Sequence, residues 1–430
     1  MTRHFWLLFG LLAAMVSVGL LALEGTILVL AIPFLVYVLV GVYYAPGEQK
    51  LQARRMMSTD RITEGMDVTV TIQVENLNAR VDQLFLSESF EHDLKILAGD
   101  SYVAAQMEQG EQIEYAYTLE GRRGVYEFQG LTAQAIDPFG LFERKKELKT
   151  DGELIVFPQV TEMKSIPIHP PHTKGFYGPI STRKSGSGID FLGVRQYQFG
   201  DSLRRINWRA SERHMNDLFT NEYEQERIAD VGIILDARPH CDKLFQGRRM
   251  FEYAVHAAAS LSKMFLDDGH SISMLIYSAV VTQVFPGYGK VQYERILKTL
   301  ASADTSYNFS REQLRIPGRL LPPRGQLVYI SPLPPADFET IIRLRNLGYS
   351  VLVLSLDPLF FEEHSGIDLP LPETQLAARF ARIERKLMLN NLRQAGVLVE
   401  NWTVDQPFLE VGERIRTHVV LHQRMIRDVV

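Results

Sequence analysis

Between Gly188 and Arg213, charged and aromatic residues crowd together as nowhere else in the chain. The run contains Gly188-Ile189-Asp190-Phe191, Arg195-Gln196-Tyr197, Gly200-Asp201, Arg204-Arg205-Ile206-Asn207-Trp208 and Ser211-Glu212-Arg213. Two chemistries fit these residue types. In one, guanidinium forks from Arg195, Arg204 or Arg213 grip a carboxylate or phosphate while Trp208 stacks nearby. In the other, the stretch is a folded connector in which Asp190 and Asp201 pair with the arginines over a packed Tyr197 and Trp208. Arg–Asp pairs are common structural devices, which favours the second reading. From Lys174 to Arg213, eight Lys or Arg outnumber three Asp or Glu, a local charge of +5. Such a patch attracts the phosphates of nucleic acid or of anionic lipid headgroups. The chain as a whole has 46 Lys and Arg against 51 Asp and Glu, net −5, with a pI near 6.2, which argues against a nucleic-acid binder.

Elsewhere the chemistry is thinner. Lys184-Ser185-Gly186-Ser187-Gly188 reads as a flexible loop and lacks the residue order of a phosphate-binding loop. Asp236 ends an apolar strand and Ser331 ends another, the places where ligands sit in open α/β sheets. His240, Cys241 and Asp242 are adjacent in a strand-end loop, a poor arrangement for a nucleophile and its base, which must come within hydrogen-bond reach. His169 and His172 flank Pro170 and Pro171 with no metal-ligand spacing. One cysteine excludes a disulfide framework and a Cys-based zinc site.

The elements that must position these residues follow from periodicity. A chain of 430 residues, 46% apolar and 10% aromatic, implies two or three domains with real cores and excludes a disordered class. Residues 1–50 form a transmembrane helical hairpin. Phe5–Leu23 and Thr26–Tyr44 are apolar runs of 19 residues each, separated by Glu24-Gly25, and Glu24 is their only charge. Pro33 is a kink point in the second run, and a second run following at once fits a cleavable leader badly. Arg3 precedes the first span and Lys50, Arg54 and Arg55 follow the second, so both termini and the soluble domains are expected in the cytoplasm.

Residues 51–160 read as a β-sandwich-like module. Val68–Val74 and Gln112–Leu119 alternate with period two, and Gly124–Phe128 and Leu154–Phe157 continue the series. Asp137-Pro138-Phe139-Gly140-Leu141 reads as a rigid corner, with Phe139 and Leu141 plugging the sheet edge. Residues 161–229 form a polar connector carrying the Arg-rich run. Residues 230–430 alternate strands and helices, which means a doubly wound α/β domain. Its strands are Asp230–Leu235, Ile272–Tyr277, Leu327–Ile330, Val351–Leu354 and Val397–Val399, with helices over Arg248–Asp268, Val291–Leu300, Asp337–Leu347 and Thr374–Ala395. The last helix sets Leu376, Phe380, Ile383 and Leu387 on one face. No glycine fingerprint for a dinucleotide is present.

The connector resembles the signature of domain-of-unknown-function family 58, a set of membrane-anchored bacterial and archaeal proteins. The matching positions are Gly188, Phe191, Arg195, Tyr197, Gly200, Asp201, Arg204, Ile206, Trp208 and Arg213, with Asp190 where the family usually has Glu. Asp137–Leu141 also resembles a family element, and the order of hairpin, β module, signature and α/β domain matches. The resemblance implies a von Willebrand factor A-like α/β domain. Such domains often hold Mg²⁺ through Asp-x-Ser-x-Ser; here Asp236 is kept but Arg238 and His240 replace both serines, so no metal and no cofactor is expected.

The resemblance further implies partnership with a MoxR-type AAA+ ATPase and with a transglutaminase-like membrane protein. The resulting expectation is a non-enzymatic adaptor at the inner membrane, docking through loops that include Asp236–Asp242. The alternative is an enzyme acting on an envelope precursor, using Asp190, Arg195, Asp201 and Arg204.

Overall fold

A computed structural model describes the chain apart from residues 79, 89, 91–93, 169, 171–172, 175–179, 214–216, 306–320, 322–323, 365–371 and 430. Side chains of 173–174, 180–190, 224–227, 372–375 and 422–429 are likewise outside the description. The chain divides into two compact units, Met1–Phe157 and Pro158–Val430.

In the first unit, α1 (Arg3–Ala22) and α2 (Gly25–Tyr43) form an antiparallel hairpin, both helices long and apolar enough to cross a membrane. Thr2 caps α1, and Pro33 is accommodated inside α2. The helices approach closely at Gly19, where an added Cβ would lie 2.9 Å from a Leu28 methyl.

Among the described residues eleven strands follow: β1 (Leu51–Met57), β2 (Arg61–Thr63), β3 (Asp67–Asn76), β4 (Val81–Glu88), β5 (Leu94–Gly99), β6 (Tyr102–Met107), β7 (Gln112–Gly121), β8 (Gly124–Glu127), β9 (Leu131–Ile136), β10 (Glu143–Leu148) and β11 (Glu153–Phe157). They make two four-stranded antiparallel sheets, β1-β3-β7-β5 and β10-β9-β4-β6, and a small sheet β2-β11-β8. The period-two pattern explains the packing: Val68, Val70, Ile72 and Val74 of β3 share one core with Leu84 and Leu86 of β4. Arg55 is turned into this module rather than toward the hairpin. It pairs with Glu88, both side chains buried, and Tyr117 donates to the same carboxylate.

The Asp137–Leu141 corner does not plug a sheet edge as expected. It docks on the open end of the hairpin, where α1 starts and α2 ends. Thr2 donates from its backbone to Leu141 O (3.0 Å) and from its hydroxyl to Gly140 O (2.7 Å).

In the second unit, β12 (Thr173–Lys174) and β13 (Ile180–Gln196) pair antiparallel with β14 (Phe219–Asp236). The expected loop at Lys184–Gly188 is therefore strand backbone, with register shifts between Thr182 and Ser185 and between Gly186 and Phe191. Between these strands lie a 3-10 turn, Leu203–Arg205, and α3 (Trp208–Ser211). The far half of β14 enters an α/β sheet with β17 (Ser271–Tyr277), β18 (Thr282–Gly287), β19 (Gln326–Ser331), β20 (Ser350–Leu356) and β21 (Leu398–Trp402). The order is β18-β17-β14-β19-β20-β21, parallel except for the edge strand β18. A tiny hairpin, β15 (Leu244–Phe245) and β16 (Arg248–Arg249), precedes α4 (Met250–Asp267). The helices α5 (Gly289–Ala301), α6 (Phe338–Asn346), α7 (Pro358–Glu363), α8 (Pro372–Gln394) and α9 (Phe408–Val429) complete it.

Continuous apolar runs in β17 and β19 fit strands covered on both faces. The helix α9 was not anticipated, although Phe408, Val411, Ile415 and Val419 recur at helical spacing and are buried. The strand order reverses between β14 and β19, so the carboxyl ends of these two strands flank the switch point, with Asp236 on one and Ser331 on the other.

Candidate functional site

Two clusters collect the residues singled out from the sequence. The first is the tip of the β13–β14 arm. Arg195 grips Asp201 with two bonds of 2.8 Å and donates from Nε to Glu222 at 2.7 Å. Asp201 also accepts the Gln198 backbone N–H at 2.9 Å, and the Tyr197 hydroxyl donates to the Asp201 carbonyl at 3.3 Å. Gly200 supplies the positive φ (105°) that closes this turn. The Arg195 bonds, helped by the Gln198 amide, hold the Asp201 carboxyl below the ordinary carboxylate range. Arg195, Tyr197 and Asp201 therefore lock a turn together.

The rest of the run is held by its backbone. Asn207 caps α3 through Ala210 N (2.9 Å) and donates to Asn221 (2.7 Å), while the Ser211 hydroxyl accepts from Phe219 N (2.9 Å). This arrangement turns side chains outward. Trp208 is 66% exposed instead of packed beneath the arginines, and Phe199 and Leu203 are also exposed. Arg204 and Arg213 are exposed and stand outside the Arg195–Asp201 lock. Asp190 lies on β13 with its side chain outside the described residues, and His169 and His172 are likewise outside them. Glu222, the second partner of Arg195, escaped notice because its pairing depends on the register of β13 against β14, where Gly193 faces Glu222.

The second cluster lies at the switch point. Asp236 is fully buried and accepts from Arg238 Nε (2.8 Å), Arg238 Nη2 (2.8 Å), Arg238 N (3.1 Å), the His240 ring (2.8 Å) and the Ser331 hydroxyl (2.6 Å). The two strand-end residues marked in the sequence thus bond to each other. Arg238 also donates to Asp337 Oδ1 (3.0 Å) and to the Tyr329 hydroxyl (2.9 Å), and its guanidinium lies 5.6 Å from the Tyr277 ring centre.

Asp236 is therefore not a lone carboxylate beside an arginine. Asp337, in the 3-10 turn Pro335–Asp337, is buried and closes on the same guanidinium. Sequence reading missed it because the loop between Ser331 and Asp337 hides the approach. Burial pushes the Asp236 carboxyl up, but the Arg238 and His240 bonds outweigh it and hold it well below the carboxylate range. Burial lowers the Arg238 pKa, and its bonds to Asp236 and Asp337 outweigh that and raise it.

Asp236, His240 and Cys241 gather donor atoms within 4.8 Å of one another. They suit a cation poorly. The Asp236 oxygens already serve Arg238, His240 and Ser331, and Arg238 places a positive charge inside the set. Burial, reinforced by the Asp236 charge, keeps the Cys241 thiol protonated.

A cleft of about 890 Å³ opens beside this network, lined by His240, Lys243, Pro332–Ala336, Phe338, Arg385 and Leu387 among others. Arg385 of α8 donates to Pro332 O (2.9 Å), Ser355 Oγ (2.7 Å) and Asn401 Oδ1 (3.1 Å), tying the ends of three strands together under the cleft.

A family model described as protein of unknown function DUF58 matches residues 193–358, from the arm through the switch-point network. No curated protein matches the chain. Similar solved structures include a FixG-related protein from Vibrio parahaemolyticus, 14% identical, covering 25% of this chain and 95% of that one at a TM-score of 0.18. A CARDB domain from Pyrococcus furiosus is 13% identical over 26% of this chain and 91% of its own, with a TM-score of 0.19. A cohesin from Archaeoglobus fulgidus is 14% identical over 25% and 91%, with a TM-score of 0.17. Likenesses this small carry no argument about fold or function.

Proposed function

We propose that this chain is a membrane-anchored, non-enzymatic adaptor: a transmembrane hairpin, a β-sandwich-like module and a von Willebrand A-like domain that docks a partner at its strand-end face. The observation that carries this reading is the closed network at the switch point. The charged groups standing where an α/β domain places its chemistry are buried and spent on one another: Asp236, Arg238 and Asp337. Beside them a broad cleft is open, and the outward face of α8 presents Leu376, Phe380, Ile383 and Leu387, each 54–59% exposed. Exposed apolar surface of this kind marks sites of protein or ligand association. The partner implied by the family resemblance is a MoxR-type AAA+ ATPase, with a transglutaminase-like membrane protein as a second associate. Arg3, Lys50 and Arg54 around the spans support cytoplasmic termini at an inner membrane.

The enzyme alternative draws on Asp190, Arg195, Asp201 and Arg204. Its central pair satisfies itself, since Arg195 and Asp201 are bonded bidentately. The test is purification of the full chain in mild detergent from its native host, beside a Phe380→Asp, Leu387→Asp variant of equal thermal stability. Stoichiometric AAA+ ATPase with the parent, lost in the variant, is the expected result. Equal recovery with both, or with neither, overturns the docking face.

A further inference from the structure

We propose that the Pro138–Phe142 loop is itself a membrane-binding element, inserted at the headgroup–acyl boundary beside the hairpin. The inference rests on the reading of α1 and α2 as membrane spans. The loop reaches below the end of α2. The Phe139 ring lies 5.2 Å from that of Tyr37 and 6.2 Å from that of Tyr44, and the Phe142 ring lies 5.2 Å from Phe5. Tyr37 sits about 9 Å inside the helix end at the α-helical rise. Leu141 fits against Gly41, where a Cβ would be 2.7 Å from its methyl. A helix of 19 residues is about 28 Å long, matched to a hydrocarbon core of about 30 Å with little to spare. A loop whose contacts run from Tyr44 at the helix end to Tyr37 therefore lies across the headgroup–acyl boundary.

A second, independent observation agrees. Irregular backbone is tolerated at membrane depth only where protein satisfies its polar groups. Asp137, itself buried, accepts the N–H groups of Phe139 (3.0 Å) and Phe142 (2.6 Å) with its carboxylate and that of Gly140 (3.0 Å) with its carbonyl. The Phe139 carbonyl accepts from the Tyr37 hydroxyl (3.4 Å), and those of Gly140 and Leu141 accept from Thr2. Pro138, the exposed outer residue, has no N–H to satisfy. Aromatic rings grouped at one end of a span are the usual interfacial anchors.

The test uses the full chain with Cys241→Ala, carrying one fluorophore at Pro138→Cys, in nanodiscs of phosphatidylcholine and phosphatidylglycerol with brominated acyl chains. Leu30→Cys, on the exposed side of α2, reports whether the hairpin spans, and Gln109→Cys, in an exposed turn of the β module, reports water. Quenching at 138 several-fold above that at 109, though below that at 30, is expected. Quenching at 30 with 138 no different from 109 overturns the loop insertion and leaves the anchor standing. Quenching at neither 30 nor 138 overturns both.

Discussion

Arg238 Nη1 donates to Asp337 Oδ1 at 3.0 Å across 99 residues of sequence, and the same guanidinium holds Asp236. One side chain thus clamps the loops after two neighbouring strands. Truncating it strands two buried carboxylates, so Arg238→Ala should destabilise the chain by about 3–5 kcal/mol, as removal of one partner from a buried ion pair does. Adding Asp337→Asn should recover part of that loss, because members of one network are not additive. Chemical denaturation of both variants and their combination checks this; a cost for Arg238→Ala below about 1 kcal/mol, the range of an exposed pair, would mean that the network does not hold the loops.

Acid should find a different weak point first. His256 is packed against Phe408 and bonded to Thr161 Oγ1 at 2.9 Å, and burial, with Arg248 nearby, lowers its pKa from 6.5 to about 4. Its folded pKa lies below its unfolded one, so its contribution is complete above pH 6.5 and is lost as pH falls toward 4. Asp236 acts in the same sense but only below the ordinary carboxylate range. Unfolding free energy measured from pH 7 to 4 should therefore fall, and His256→Phe should flatten that fall. An unchanged slope in the variant would place the acid sensitivity elsewhere.

The arm separates structural from outward-facing residues. Arg195→Ala breaks three charge-assisted bonds, to Asp201 and Glu222, and should raise proteolytic cleavage between Gln196 and Asp217. Arg195→Lys should restore little, since an ammonium cannot reproduce the fork. Trp208→Ala removes a ring that is 66% exposed and should change stability by less than about 0.5 kcal/mol. Limited proteolysis and thermal unfolding distinguish these outcomes. Equal damage from Arg195→Ala and Trp208→Ala would mean that Trp208 is part of the lock.

What the sequence discloses is what short-range pattern controls. Val68 to Val74 alternate and are buried; β17 and β19 are apolar runs and are covered; Asp236 and Ser331 end neighbouring strands and bond at 2.6 Å. What it hides depends on contacts across sequence distance. Asp337 meets Arg238 only because of the path taken after Ser331. Phe139 and Leu141 read locally as sheet-edge plugs because nothing nearby in the chain connects them with Tyr37 and Gly41. The pattern of Arg and Asp favours Trp208 packed beneath their pairs over Trp208 stacked beside a ligand, but the Asn207 cap and the Ser211–Phe219 bond fix α3 with that ring outward.

The helix α8 shows the same limit in energetic form and yields the last prediction. Leu376, Phe380, Ile383 and Leu387 recur at spacings of four, three and four, the stripe that ordinarily faces a core. Here all four are more than half exposed, and α8 packs instead through Leu389 and Leu392, which are 5% and 0% exposed. Arg379 and Lys386 border the stripe on one side and Glu384 on the other, while Arg382 pairs with Glu363, so the covering surface should be apolar with edges of both signs. Charging an exposed position removes little buried area. Phe380→Asp and Leu387→Asp should each shift stability by less than about 0.5 kcal/mol, whereas Leu392→Asp should cost several. The exposed changes should nevertheless abolish partner association, because a buried charge at a central hot spot of an interface costs about 2 kcal/mol or more. Denaturation curves paired with co-purification separate the two effects. If Phe380→Asp unfolds the chain as Leu392→Asp does, then the stripe is covered within the protein itself and is no docking face.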